Sequence, residues 1–230
     1  ANGVGMAIAE RWLSQHFNKP DFELINHYTY SILSDGDLQE GVASEAASLA
    51  GTLGLGKLVY LYDDNQITIE GETDITFTEN VRKRFEAYGW HVIGPIDGMD
   101  VESVDIALKE ARVRLDMPSL IICSTVIGYG SPGKQGTSSS HGEPLGETEV
   151  NLMRETLDWE YSEPFIIPQQ ALNHFRTALN RGKEQQSQWE TLFERYRAIY
   201  PKAAEELISS VSGDLPDGWD DNLSELFQTE

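Results

Sequence analysis

One cysteine, Cys123, occurs in 230 residues, so no disulfide can close within the chain, and a reducing compartment is the natural expectation. Positive charge is equally scarce: 17 Lys and Arg against 38 Asp and Glu leave a formal charge of −21. A protein this acidic, with no local basic stripe, repels phosphate backbones, which argues against a nucleic-acid partner. No apolar run approaches the length that crosses a bilayer, and the first residues lack a basic-then-apolar leader pattern. The expectation is a cytoplasmic protein with no membrane partner. Apolar content is not lacking, since hydrophobic residues make up 40% of the chain and Phe, Trp and Tyr together number 22. That composition excludes whole-chain disorder and supports a real core. An initiator methionine is also missing, and Ala1–Glu10 reads as a helix already under way, so the sequence is expected to be part of a longer protein.

The first 150 or so residues alternate between helical and strand periodicity, the mark of an α/β fold with a mostly parallel sheet and flanking helices. Residues 3–17 read as a helix and His27–Leu33 as a strand, which stops at Ser34-Asp35-Gly36-Asp37. Residues 38–54 form a helix of small residues with Val42, Ala46, Leu49 and Leu53 at helical spacing, suited to close approach by another helix. Lys57–Tyr62 is a near-continuous apolar strand of the kind buried on both faces, and Asp63-Asp64-Asn65 follows it. A helix over 78–88, a strand over Trp90–Ile96, a helix capped by Asp100 and a strand over Ser119–Val126 complete the pattern. Gly128–Gly146 then holds six Gly, four Ser and two Pro, which makes it either a disordered linker or a functional loop. Residues 147–158 and 168–200 are expected to be helical, the second in two pieces because of Asn180 to Gly182, and an acidic tail reads as a linker.

Two strand ends carry the strongest chemical signal. In a parallel α/β sheet, ligands bind outside the carboxyl ends of the strands. Asp35-Gly36 ends one strand and Asp64-Asn65 the next, with 28 residues between Gly36 and Asn65. Gly36 lets an anion approach the backbone, and the helix that follows offers free N–H groups. Asp35 and Asn65 each present a hard oxygen of the type Mg2+ prefers, with phosphate and water completing its shell. Either pair alone is an ordinary turn former; together they point to a Mg-diphosphate site. An EF-hand reading fails because Glu40 stands where that loop needs glycine, and no strand is followed by G-x-G-x-x-G.

Ser34-Asp35-Gly36 followed by Asn65 resembles the thiamine-diphosphate fingerprint, a G-D-G and a later Asn that bracket a strand–helix–strand unit. Residues 27–73, 84–100 and 130–149 together resemble the diphosphate-binding domain of transketolase. The specific marks are Asp63-Asp64-Asn65, Tyr88-Gly89-Trp90-His91-Val92 and His141-Gly142-Glu143-Pro144-Leu145-Gly146. The resemblance covers most of residues 1–200, and it sets a diphosphate-binding domain there against an acidic linker over 201–230 that leads to a pyrimidine-binding domain. It implies a thiamine-diphosphate-binding fold, N-terminally incomplete.

By position, the resemblance implies that Asp35 and Asn65 bind Mg2+ through their side chains and Ile67 through its backbone carbonyl, with Ca2+ or another divalent ion able to substitute. Gly36 and Asn65 would also line the cofactor's diphosphate. Glu40 and Glu45 fall where the family places glutamates near the cofactor and the dimer contact, although as bare residues they read equally well as solvated helix positions. His141 on its own is a solvent-exposed loop histidine; the resemblance makes it a catalytic histidine that reaches cofactor and sugar donor. His91 is expected to be structural. The implied reaction transfers a two-carbon ketol unit from a ketose phosphate to an aldose phosphate, in a homodimer, with sugar phosphates as substrates. Dihydroxyacetone synthase and deoxyxylulose-phosphate synthase share the metal motif, the His141 loop speaking against the second. A non-catalytic binding module is the rival from another class.

Departures from the family pattern bear on these expectations. Ser34 replaces the fingerprint's first glycine, which disturbs the turn only if it needs a positive φ. Thr137-Ser138-Ser139-Ser140 lacks a further loop histidine. The family's first strand–helix units precede the point where this sequence opens, so the stretch by itself is expected to be inactive and to leave a sheet edge open.

Overall fold

A computed structural model describes residues 1–215, 218–221 and 223. They divide into two compact units, one of residues 1–11 and 27–164, the other of residues 12–26 and those from 165 onward.

In the first unit, strands β1 (Thr29–Ser34), β2 (Leu58–Asp64), β3 (His91–Asp97) and β4 (Ser119–Ser124) form a sheet in the order β1-β2-β4-β3, each neighbouring pair parallel. Strands β2 and β4 lie in the middle, which explains their apolar composition, since a central parallel strand is covered on both faces. Side-chain alternation sends Tyr60, Tyr62, Leu120 and Ile122 to one core and Val59, Ile121 and Cys123 to the other. Helix α1 (Asn2–Phe17) opens the chain and gives this unit its residues 2–11, and α2 (Asp35–Gln39), α3 (Gly41–Leu53), α4 (Val81–Ala87) and α5 (Val101–Arg112) alternate with the strands. Ala47 and Ala50 of α3 and Phe85 of α4 join the first core, while Ala107 and Ala111 of α5 join the second.

The small-residue helix has a use that its composition foretold. A Cβ on Gly51 would stand 1.7 Å from the Tyr88 carbonyl oxygen, so only glycine permits that approach. Nearby, the Trp90 indole donates to the Ala47 carbonyl at 2.8 Å. The helix expected over 38–54 instead begins as the five-residue α2 and breaks at Glu40, whose φ of −71° and ψ of 131° are extended. Asn80 caps α4 by accepting the Lys83 N–H at 2.9 Å, and Asp100 caps α5 as expected, accepting from Glu102 and Ser103.

In the second unit, α8 (Gln169–Ile199) is one helix of 31 residues, after the short α6 (Ser139–Gly142) and α7 (Glu147–Thr156) of the first unit. The expected break at Asn180–Gly182 is absent. An isolated glycine costs a helix only about 1 kcal/mol, and the Arg, Lys, Glu and Gln around it are good helix formers. Phe193 and Tyr196 pack with Phe17, Phe22 and Leu24, and the Tyr196 hydroxyl donates to the Phe17 carbonyl at 2.8 Å. The stretch expected as a linker from 201 begins as helix α9 (Pro201–Ser212), with Pro201 in its first turn and Ala204 and Leu207 buried in the same cluster. The rest of that expected linker lies partly outside the described residues. Among the described residues, no helix is long and apolar enough to cross a membrane.

Candidate functional site

The parallel register that pairs Ser34 with Asp63 brings the carboxyl ends of β1 and β2 side by side. Asp35 follows the first directly, and Asn65 the second. Asp35, Gly36, Glu40, Asn65, Ile67 and His141 all line one cleft of about 670 Å³. A second cleft of about 610 Å³ shares Ser34, Asn65 and His141 with it and runs past Asp63, Cys123 and Thr125. The residues singled out from the sequence are thus brought together, apart from Glu45, which is exposed on α3 and lines neither cleft.

Asp35 is 3% exposed. Its Oδ1 accepts a hydrogen bond from the Tyr62 hydroxyl, whereas Oδ2 is buried with no hydrogen-bond partner among the described residues. Burial raises the Asp35 carboxyl above its ordinary range, the bond from Tyr62 and the nearby Gln66 N–H opposing that rise and the Asp63 charge adding to it. Asp64 is raised too, first by burial and then by the charge of Asp35. A buried carboxylate with one unserved oxygen is costly unless something positive meets it.

Asn65 turns the chain after β2. Its Oδ1 accepts the Ile67 N–H at 3.0 Å, and its Nδ2 donates to Asp63 Oδ2 at 3.4 Å. Gln66 between them holds a φ of +60°, a left-handed conformation that costs a non-glycine residue about 1 kcal/mol or more. The turn is tied down by Thr73 N–H to the Gln66 carbonyl at 3.0 Å and Thr68 N–H to Gly71 at 2.7 Å. Asp63, on the opposite face of β2 from Tyr62, accepts from the Thr125 hydroxyl.

Ser34 has a φ of −120°, a backbone that any residue adopts, so replacing glycine there introduces no strain. Its N–H and hydroxyl both donate to Asp37 Oδ2, at 2.9 and 3.2 Å. A Cβ on Gly36 would meet nothing within 4 Å, so the glycine leaves open space on the cleft side. The five-residue α2 carries little macrodipole, and an anion at Gly36 would rest on individual N–H groups of the turn.

The Gly/Ser-rich stretch is a folded loop. Glu149 at the start of α7 accepts the Ser131 hydroxyl at 2.6 Å and the Gly133 N–H at 3.1 Å, and these bonds hold its carboxyl below the ordinary range. Ser140 donates to the Lys134 carbonyl at 2.6 Å, and Lys134 Nζ to the Pro144 carbonyl at 3.2 Å. His141 rides on α6 inside this loop, exposed to the cleft. His91 sits apart, its Nε2 3.4 Å from the Glu110 carboxylate and its Nδ1 3.4 Å from the Ser119 hydroxyl, a structural setting.

Among the described residues, no three His, Cys, Asp or Glu side chains cluster to hold a metal ion. One carboxylate, one amide oxygen and a backbone carbonyl make a different donor set, which leaves several positions for phosphate and water. The unserved Oδ2 of Asp35 fits such a cation. Tyr62, Thr125 and Glu149 have roles the sequence reading missed: Tyr62 stands in an apolar run, and nothing local marks its hydroxyl as facing Asp35.

The family described as "Transketolase, thiamine diphosphate binding domain" matches residues 1–216. The chain belongs to the transketolase family. It is 52% identical over 221 residues to a transketolase of Nostoc sp., covering 96% of this chain and 33% of that protein. It is 50% identical over 220 residues to transketolase 2 of Escherichia coli, with 96% and 33% covered. Among solved structures, a Pichia stipitis transketolase in complex with sedoheptulose 7-phosphate matches at a TM-score of 0.91 and 38% identity, covering 96% of this chain and 32% of that one. Transketolase from Leishmania mexicana matches at a TM-score of 0.91 and 38% identity, with 95% and 33% covered. The chain spans about a third of the length of the curated relatives it matches.

Proposed function

We propose that the complete protein is a transketolase, moving a two-carbon ketol unit from a ketose phosphate to an aldose phosphate, and that this chain grips the diphosphate end of its cofactor. The buried, unserved Oδ2 of Asp35 beside Asn65 carries the reading, since it is an anionic site built for a cation. Asp35 and the Asn65 and Ile67 oxygens hold Mg2+, and Ca2+ or another divalent ion can replace it. Gly36 leaves room for the diphosphate, and Glu40 borders the same cleft. Thiamine diphosphate, when bound, supplies the electron sink for breaking a carbon–carbon bond beside a carbonyl. His141 donates a hydrogen bond to the donor sugar's carbonyl or hydroxyl oxygen as charge develops there. The loop bonded to Glu149 keeps that histidine at the cleft, because a misplaced donor loses much of its effect.

A homodimer in the cytoplasm is the setting this reading expects. The buried free Cys123 fits the reducing compartment in that expectation. The test is Asp35→Ala in the complete protein, with thiamine diphosphate affinity measured by fluorescence quenching with and without Mg2+. The Mg2+-dependent part of the affinity is expected to vanish; affinity equal to that of the unsubstituted protein would overturn the metal assignment.

A further inference from the structure

Asp35 can serve a cation only if its carboxylate is held in one orientation, with one oxygen engaged and the other presented. The group that does this is on the neighbouring strand. Tyr62 is 3% exposed and lies on β2, paired with Leu33 of β1 on one side and Ile122 of β4 on the other. Two ladders and a packed core therefore fix its ring. Its hydroxyl has a single proton and two carboxylates within reach, bonding to Asp35 Oδ1 and lying 3.4 Å from Asp64 Oδ1. At 3.4 Å the Asp64 contact is too long for a good O–H···O bond, so the proton goes to Asp35. The Asp35 carboxylate is then pinned at Oδ1, and its other oxygen is the one left without a partner.

We infer that Tyr62 is a positioning residue for the cation at this site: by donating to Asp35 Oδ1 from a rigid central strand, it holds Oδ2 in place to bind a divalent metal ion. The inference rests on the reading of Asp35 as a metal ligand given above. Partners that orient a ligand from behind are worth about 10–100-fold in metal affinity. Phenylalanine at position 62 would keep the ring and its packing while freeing the carboxylate to rotate.

The experiment is a Mn2+ titration of the complete protein in the presence of thiamine diphosphate, with free Mn2+ read by electron paramagnetic resonance. Tyr62→Phe is expected to bind Mn2+ about 10–100-fold more weakly at unchanged stoichiometry, with cofactor binding restored at high Mn2+. A purely structural role would lower the stoichiometry or the folded fraction and would not be rescued by more metal. Asp35→Ala, run alongside, is expected to abolish the same binding. If Asp35→Ala abolishes it and Tyr62→Phe binds as tightly as the unsubstituted protein, the role of Tyr62 is overturned and the metal site stands. If Asp35→Ala binds normally, the site reading itself fails. Should Tyr62→Phe not fold, 3-fluorotyrosine at position 62 keeps the hydroxyl. Its fluorine resonance is then expected to shift as Mg2+ is added with cofactor, and an unmoved resonance would overturn the inference.

Discussion

The aromatic core of the second unit and the strand-end cleft of the first both bury tyrosine hydroxyls, and they treat them differently. Tyr196 donates to a backbone carbonyl at 2.8 Å, and Trp189 on the same helix donates to the Leu24 carbonyl at 2.9 Å. Both pairs are closed: each donor meets a neutral acceptor, and the aromatic rings stack around them. Tyr62 donates to a carboxylate whose second oxygen is left unserved. The first arrangement spends its polar groups on stability. The second keeps a polar group in reserve, which is costly in the protein alone and useful once a ligand arrives.

Substitutions can break that contrast. Tyr196→Ala removes a fully buried ring together with its hydroxyl bond, and is expected to lower stability by about 3–5 kcal/mol. Thermal or urea unfolding would read the loss, and no change in Mn2+ affinity should accompany whatever folded protein remains. Asp35→Asn is expected to act the other way round, abolishing the cation site while raising stability in the metal-free protein at neutral pH. The sign follows from the carboxyl's raised value. A group whose folded value lies above its ordinary 3.8 contributes stability fully present below 3.8 and lost as pH rises through the folded value. At neutral pH the aspartate has lost that contribution and asparagine has not, so the gain should disappear below pH 3.8. A metal-free Asp35→Asn protein that melts below the unsubstituted one at pH 7 would contradict the idea of a reserved charge.

The smallest effect is expected at the loop. The Ser131 and Gly133 bonds hold Glu149 below its ordinary 4.5, so what they contribute is present above 4.5 and lost as pH falls through the lower folded value. Amide exchange at residues 131–133, corrected for intrinsic rates, should therefore quicken at acid pH and show no such step in Glu149→Gln. An identical profile in both proteins would remove the carboxylate as the loop's clasp.

How much of this was legible in the sequence depended on whether the information was local. Asp35, Gly36 and Asn65 belong to two short strand-end segments, and a parallel sheet brings such segments together as a matter of topology, whereas Ile67 was legible through the family resemblance alone. His141 was legible through its flanking motif alone. Tyr62 was not legible, because an apolar strand hides which hydroxyl meets which acid until the register is known. The unbroken α8 was missed because a Gly in a run of strong helix formers weakens the helix without ending it. The helical start of the tail was missed because acidic residues masked the spacing of Ala204 and Leu207, which pack among distant aromatics. Long-range packing, such as Phe17 with Tyr196, was not legible, because no window of sequence contains both residues.

Ser34 has a consequence for how relatives of this chain are found. The fingerprint is written with a glycine at that place, yet the backbone there, at a φ of −120°, makes no demand that only glycine meets. A search pattern that insists on the letter G passes over this chain, whereas one that specifies an extended backbone, a buried acid after it and an asparagine turn on the next strand retrieves it. Tolerance at a position can thus be recognised from its dihedral angle before a second sequence is ever compared.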